Sequence, residues 1–185
     1  MNVSKLKDKD LLWADYVFLS GMNIQIKSFR EVIRKCNTLG VKIVVGGPLA
    51  TTQYKDFLGV DHFILNEAEN TLPPFLEDLK NGNTKHVYTS DEFPDITNSP
   101  IPMWELLKIN EYASLSIQYS RGCPYDCDFC SITMLNGRMP RTKTNTQFIT
   151  ELETLYKLGW RGSISIVDDN FIGNKRKLKD EVLPL

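Results

Sequence analysis

The chain has 185 residues, a formal net charge of -1 and a pI near 6.1, with 42% hydrophobic and 24% charged residues. This composition indicates an ordinary globular protein, and the balanced charge favours neither nucleic acid nor anionic lipid as a partner. The sequence has no apolar run of transmembrane length, so neither a membrane span nor a secretory signal is predicted. The cytoplasm is the expected compartment, where clustered cysteines indicate a metal or redox site more than a disulfide framework.

Residues 1–86 alternate between short apolar runs and helical patterns. The runs are typical of parallel strands covered on both faces, and they are Tyr16–Ser20, Val41–Gly47 and His62–Leu65. Strand and helix in alternation predict an open, doubly wound parallel sheet.

Two helices are predicted between and after these strands. The first has a capping box over Ser28–Glu31, ends at Gly40, and carries Cys36 on its apolar face as a small buried hydrophobe. The second is predicted to hold Pro73 and Pro74 in its first turn.

Small and polar residues follow each predicted strand of this sheet. Ligands of open parallel sheets bind beyond the carboxyl ends of the strands. The candidates there are Ser20, Gly21, Gly46, Gly47, Pro48 and Glu67. Glycines that merely make the turns are the structural alternative, and both interpretations stay open.

The second half repeats the strand, loop, helix, strand order. Residues 87–112 contain several prolines without periodicity and are predicted to be a linker. An alternating strand over Ala113–Ser120 leads into a cysteine loop, and a helix follows with Thr144–Gln147 as its capping box. The predicted apolar face of this helix consists of Phe148, Ile149, Leu152, Leu155 and Tyr156. The next strand, Ser163–Val167, ends in Asp168–Asn170. Chemistry on loops after strands is typical of a parallel α/β barrel.

Three of the four cysteines, Cys123, Cys127 and Cys130, lie within eight residues of one loop. Three thiols cannot all pair with one another, which disfavours disulfides. A zinc site needs four ligands and would have to recruit Cys36 or a distant histidine. An iron-sulfur cluster is the better match, because closely spaced thiolates on a loop hold its irons and one iron stays open for another ligand.

The stretch "SIQYSRGCPYDCDFC", followed by "PRTKT" and "VDDNFIGNK", resembles the signature of radical S-adenosylmethionine (radical SAM) enzymes. The resemblance is to members with an N-terminal cobalamin-binding-type domain, to which "GGPLAT" and "NEAE" are similar. It implies that Cys123, Cys127 and Cys130 hold a 4Fe-4S cluster with SAM on the open iron. An electron from the cluster would cleave SAM to a 5'-deoxyadenosyl radical, which abstracts hydrogen from a substrate.

The resemblance also implies which residues contact SAM and cobalamin. Phe129 would lie near the adenine, and Asp168, Asp169 and Asn170 would bind the methionine amino group. Strand alternation favours Asp169 as the residue facing the barrel interior. A helix cap or turn at Asp168 or Asn170 is the structural alternative. The six candidates at the end of the first sheet would contact cobalamin.

Two departures from the family bear on these expectations. The cobalamin motif Asp-x-His-x-x-Gly does not occur, and Asn66 stands where related sequences tend to have glycine. Asn tolerates left-handed backbone, so this replacement is acceptable. After Cys123 the chain has room for about two strand–helix units of a barrel, so it is expected to be a fragment.

The expected function is that of a radical SAM iron-sulfur enzyme, or part of one, suited to cobalamin-dependent methyl transfer onto a small or lipid-like molecule. An external flavodoxin or ferredoxin would donate the electron. A small zinc-binding interaction module and a non-catalytic cluster-binding remnant are the alternatives. The expected fold class is α/β, with a partial cobalamin-binding-like sheet in residues 1–86, a linker in 87–112, and the first units of a parallel (βα) partial barrel in 113–185.

Overall fold

A computed structural model describes residues 5–171, 173, 175, 179 and 180. The chain divides into two compact units, residues 1–94 and residues 95–185. Residue 1, where the first predicted domain begins, and residue 185, where the second ends, are not among the described residues. Among the described residues, no helix combines the length and apolar character that crossing a membrane requires.

Four parallel strands form the sheet of the first unit, in the same order as along the chain. They are β1 (Tyr16–Ser20), β2 (Lys42–Gly46), β3 (His62–Ile64) and β4 (Val87–Tyr88). Their last residues lie opposite one another in the register, namely Ser20, Gly46, Ile64 and Tyr88. The first three strands confirm the sequence prediction, and β4 lies within the stretch predicted as linker.

Helices cover both faces of this sheet. They are α1 (Lys9–Leu12), α2 (Ile26–Leu39), α3 (Gly47–Gln53) and α4 (Ala68–Lys80). The buried face of α2 shares one core with Ile43 and Val45, whereas Phe75 of α4 shares another with Val44 and Ile64. Because successive strand residues point to opposite faces, the two cores lie on opposite sides. The doubly wound α/β class is therefore confirmed.

Helix α2 starts earlier than its sequence predicts. It begins at Ile26 behind a short 3-10 turn, in which the Oε1 of Gln25 accepts a hydrogen bond from the backbone N–H of Met22 at 2.9 Å. Ser28 therefore lies inside the helix, and its assignment to a capping box is wrong. The predicted end is confirmed, because Gly40 follows the helix with a φ of +69°.

Helix α4 also starts earlier than predicted. Its first residue is Ala68, so Pro73 and Pro74 lie inside the helix and not in its first turn. Proline lacks the N–H that a helix interior uses, so the two prolines remove two helical hydrogen bonds. Phe75, which follows them, is fully buried, and its packing offsets that loss.

The second unit is built around one strand–helix–strand unit and one small hairpin. Its strands are β5 (Ser114–Ile117), β6 (Ser120–Arg121), β7 (Arg141–Thr142) and β8 (Ser163–Ile166), and its helices are α5 (Ile132–Asn136) and α6 (Asn145–Lys157). Strands β5 and β8 pair in parallel, and α6 lies between them along the chain, as the sequence predicts. The antiparallel pair β6–β7 and helix α5 were not predicted.

Helix α6 has the predicted capping box but a rotated buried face. The Oγ1 of Thr144 accepts from the backbone N–H of Gln147, and the Oε1 of Gln147 accepts from the N–H of Thr144. Phe148 and Leu155 are buried as predicted, while Tyr156, predicted on the apolar face, is 62% exposed. The cysteine loop lies between β6 and β7 along the chain, ahead of α5.

Candidate functional site

The three clustered cysteines lie on the loop that joins β6 to α5. Cys123 is partly buried, and Cys127 and Cys130 are exposed. None of them forms a disulfide. The backbone N–H of Cys123 donates to the carbonyl of Gly137 at 3.1 Å, and that of Cys130 donates to the carbonyl of Cys127 at 2.9 Å. The loop therefore presents three thiols from a backbone that is fixed at its start.

Glycine is required immediately before the first cysteine. Gly122 has a φ of +96°, a region that residues with a side chain rarely adopt. A Cβ built there would lie 2.8 Å from the carbonyl oxygen of Met139 and 3.0 Å from that of Asn136. The segment from the end of α5 to β7 thus packs directly on the backbone of Gly122, and this close approach fixes the position of Cys123.

The residues after β8 bind the same segment. The carboxylate of Asp168 accepts from the backbone N–H groups of Tyr119 at 2.7 Å and Ser120 at 2.9 Å, and from the Ser120 hydroxyl at 2.6 Å. Oδ2 of Asp169 accepts from the N–H of Gly122 at 2.9 Å and from the side-chain amide of Asn136 at 2.7 Å. The structure therefore brings Asp168 and Asp169 to the start of the cysteine loop.

Asn170 reaches the first cysteine itself. Its side-chain nitrogen Nδ2 lies 3.5 Å from Sγ of Cys123, a hydrogen-bond distance for a sulfur acceptor. Phe129 is 93% exposed, so its ring is available to a ligand beside the loop. The contacts of Phe129, Asp168, Asp169 and Asn170 with SAM stay predictions.

Three thiols on one loop are the type of donor that holds an iron-sulfur cluster. Within the described part of the chain, no three His, Cys, Asp or Glu side chains converge on a point where one ion would be held. Thiolates that bind different irons of one cluster stand farther apart than the ligands of one ion, and thiolate is the donor such clusters use. Cys123, Cys127 and Cys130 are the residues that could hold it.

The basic residues around the loop differ in their surroundings. Arg138 forms an ion pair with Asp126 at the exposed surface. Lys143 is only 12% exposed in its side chain, and its Nζ lies 2.7 Å from Oε2 of Glu151, which is 2% exposed. Lys143 therefore belongs to a buried ion pair and not to the solvated basic surface around the loop. The burial of Glu151 could not be predicted from the sequence, except from its position between apolar residues of α6.

A second group of candidates lies at the carboxyl ends of β1, β2 and β3. A Cβ on Gly47 would lie 2.1 Å from the Oγ of Ser20, and one on Gly46 would lie 2.8 Å from the carbonyl oxygen of Ile64. The N–H of Leu49 donates to the carbonyl of Gly21 at 3.1 Å. These glycines therefore let neighbouring strand ends approach closely. Glycines that only form the turns, without binding a ligand, would be expected to do the same.

The other members of this group lie at the starts of helices. Pro48 is exposed in the first turn of α3, and Glu67 is 9% exposed just before α4. Asn66 has a φ of +62°, so the predicted left-handed backbone is confirmed there. Its Oδ1 accepts from the hydroxyl of Thr89 at 2.7 Å, which a glycine could not do. Contacts of this group with cobalamin stay predictions.

Comparisons with known proteins extend along nearly the whole chain. An uncharacterized methyltransferase of Synechocystis sp. is 46% identical over 180 residues, which is 96% of this chain and 34% of that protein. The hopanoid C-2 methylase of Rhodopseudomonas palustris is 37% identical over 183 residues, covering 97% of this chain and 35% of the relative. The chain thus spans about a third of the length of these curated relatives.

The fold comparison agrees with the sequence comparison. The radical S-adenosylmethionine methyltransferase TsrM from Kitasatospora setae, solved with cobalamin and a 4Fe-4S cluster bound, superposes with a TM-score of 0.67. It is 15% identical, and the match covers 89% of this chain and 40% of that one. No family model matches the chain. The chain is thus similar in sequence to methylases and methyltransferases over nearly its whole length, and its fold is similar to part of the radical SAM methyltransferase TsrM.

Proposed function

We propose that this chain supplies the cluster-binding and cobalamin-binding-type parts of a radical SAM methyltransferase. The observation that carries the proposal is the cysteine loop: three thiols outside any disulfide, fixed through Gly122 and Asp169 beside the paired strands β5 and β8. Ligand-binding loops at the carboxyl ends of parallel strands are the usual sites of chemistry in barrels. The names of the relatives, which are methylases and methyltransferases, support methyl transfer.

Cys123, Cys127 and Cys130 would hold a 4Fe-4S cluster, which when bound supplies the electron that cleaves SAM. The carboxylate of Asp169 would accept a hydrogen bond from the methionine amino group of SAM, since among the described residues two donors contact its Oδ2 and none contacts its Oδ1. Phe129 would offer an exposed ring to the adenine.

Cobalamin binding by the first unit is part of the proposal. The candidate contacts are Ser20, Gly21, Gly46, Gly47, Pro48 and Glu67 at the strand ends. The structural likeness to TsrM, solved with cobalamin, supports it. The substrate would be a small or lipid-like molecule, as the name of the hopanoid methylase suggests for that relative. An external flavodoxin or ferredoxin would supply the electron.

Anaerobic reconstitution of the chain with iron and sulfide tests the cluster. We expect about four irons and a broad visible absorption, both lost in the variant with Cys123, Cys127 and Cys130 changed to alanine. Cys36→Ala is the matched control, since it removes the fourth, fully buried cysteine and should keep the absorption. One tightly bound zinc per chain and no absorption would instead establish a zinc-binding module.

A second measurement separates an enzyme from a cluster-binding remnant. Reconstituted chain is incubated with SAM and a reductant, and 5'-deoxyadenosine is measured. Its formation, absent in the triple cysteine variant, supports the radical chemistry. A loaded cluster without 5'-deoxyadenosine would show that the 185-residue chain binds the cluster without cleaving SAM.

A further inference from the structure

Three successive residues after β8, Asp168 to Asn170, contact the segment that ends at Cys123. Their partners follow one another along that segment in the same order. Asp168 binds the backbone of Tyr119 and Ser120, Asp169 binds that of Gly122, and Asn170 contacts the side chain of Cys123. This order follows from the parallel pairing of β5 and β8, because the segments after the two strands leave the sheet at the same edge and continue side by side. Only the third contact is made to a sulfur atom.

We propose that Asn170 is a positioning residue that donates an N–H···S hydrogen bond to Cys123 and raises the reduction potential of the cluster. This inference rests on the proposed function, because it concerns a cluster held by that thiolate. It assigns Asn170 to the cluster ligand, whereas the family resemblance assigns it to SAM. No bond forms or breaks in the step concerned: the cluster takes up one electron from the external flavodoxin or ferredoxin.

The direction of the effect follows from charge. Reduction adds a negative charge to a cluster that already carries thiolate ligands, and a donor beside one of the sulfurs stabilises the more negative state. The Nδ2 of Asn170 is such a donor, at 3.5 Å from Sγ of Cys123. The amide nitrogen faces the sulfur because the amide oxygen would be repelled by a thiolate.

The neighbouring contacts keep this amide in place. The backbone N–H of Gly173 donates to the carbonyl of Asn170 at 3.0 Å, which closes a turn directly after the residue. On its other side, the carboxylate of Asp169 is anchored by two donors, Gly122 and Asn136. The backbone of Asn170 is therefore held between two fixed points, and from this position its side chain reaches the sulfur of Cys123.

Redox titration of the reconstituted chain tests the proposal, with the reduced cluster followed by electron paramagnetic resonance in the absence of SAM. Asn170→Leu removes the donor, and Asn170→Asp replaces it with a negative group of the same size. We expect Asn170→Leu to reduce the ratio of reduced to oxidised cluster by about threefold to tenfold at a fixed potential, the net effect of one hydrogen bond. Tenfold corresponds to about 59 mV for one electron. Asn170→Asp should lower the ratio of reduced to oxidised cluster further, because it adds a negative charge beside the sulfur.

Asn110→Leu is the matched control, because Asn110 is an exposed asparagine in the same unit, remote in sequence from the loop. It should leave the potential unchanged. Equal potentials in the parent and Asn170→Leu, with equal iron content, would overturn the inference. If Asn170→Leu does not retain its cluster, Asn170→Asp decides, and a potential equal to or above that of the parent overturns the inference. A parent chain that takes up no cluster would instead reject the proposed function itself.

Discussion

Replacing Lys143 by methionine should destabilise the second unit by about 3 kcal/mol, because the change leaves Glu151 buried without its partner. The two side chains are 12% and 2% exposed, and Nζ lies 2.7 Å from Oε2. Removing one member of a buried ion pair costs about 3–5 kcal/mol, and the remaining exposure of Lys143 favours the lower end. Because about 1.4 kcal/mol is a factor of ten, the folding equilibrium constant should fall more than a hundredfold.

Urea unfolding of the cluster-free chain, followed by tryptophan fluorescence, measures this loss. Trp104 and Trp160 both pack against the core of the second unit, so their emission reports its unfolding. Trp13 lies in the first unit and is 81% exposed, so its environment should change little when the chain unfolds.

The same helix provides a matched control. Lys157 and Glu153 form an exposed pair at 3.3 Å, and Lys157→Met should cost about 0.5 kcal/mol or less. The double variant Lys143→Met with Glu151→Leu should recover most of the loss, since an apolar pair replaces the charges. A cost for Lys143→Met no larger than that for Lys157→Met would refute the reasoning.

Three further changes test other parts of the chain. Gly122→Ala should lower the free energy of unfolding by about 1–3 kcal/mol, because its φ is +96° and an added Cβ meets backbone oxygens; an unchanged urea midpoint would contradict this. In the cluster-free chain, iodoacetamide should label Cys127 and Cys130 but not Cys36, because burial raises the pKa of the Cys36 thiol, and mass spectrometry that finds Cys36 labelled as fast would contradict it. Asp95→Ala should destabilise the chain at pH 7 and lose its effect in acid, since hydrogen bonds from Thr97 lower the pKa of Asp95. That contribution is present above the ordinary pKa and lost as the pH falls through the lowered one, so a pH-independent loss would disprove it.

Local signals predicted the elements whose stabilising contacts are themselves local. The capping box of α6 requires only Thr144 and Gln147, and both of its hydrogen bonds form. The same pattern failed at Ser28, because the chain already turns at Gln25, whose side chain binds the backbone of Met22. A capping box needs a residue with non-helical backbone at its start, and Ser28 has none once the helix begins at Ile26.

Contacts between distant residues could not be read from the sequence. Strands β6 and β7 have two residues each, too few for any periodicity, and they pair across the whole cysteine loop. The buried pair of Lys143 and Glu151 likewise joins the segment before α6 to the helix itself, and both residues look polar in the sequence. The cysteine spacing predicted the chemistry of the loop, whereas its anchoring by Gly122 and Asp169 is visible only in the structure.

Alternation along β8 predicts that Asp168 and Asp169 point to opposite faces, yet both carboxylates bind backbone N–H groups of the same segment. The reason is that β8 ends at Ile166, so the period of two no longer applies to the aspartates. The two carboxylates differ in the acceptors that they use within the described part of the chain: Asp168 accepts three hydrogen bonds on both of its oxygens, whereas Asp169 accepts two, both on Oδ2. An ammonium group needs an acceptor that is still available, and Oδ1 of Asp169 is one. If SAM binds at this loop as proposed, Asp169 would accept from its amino group in preference to Asp168, on grounds that do not depend on strand alternation.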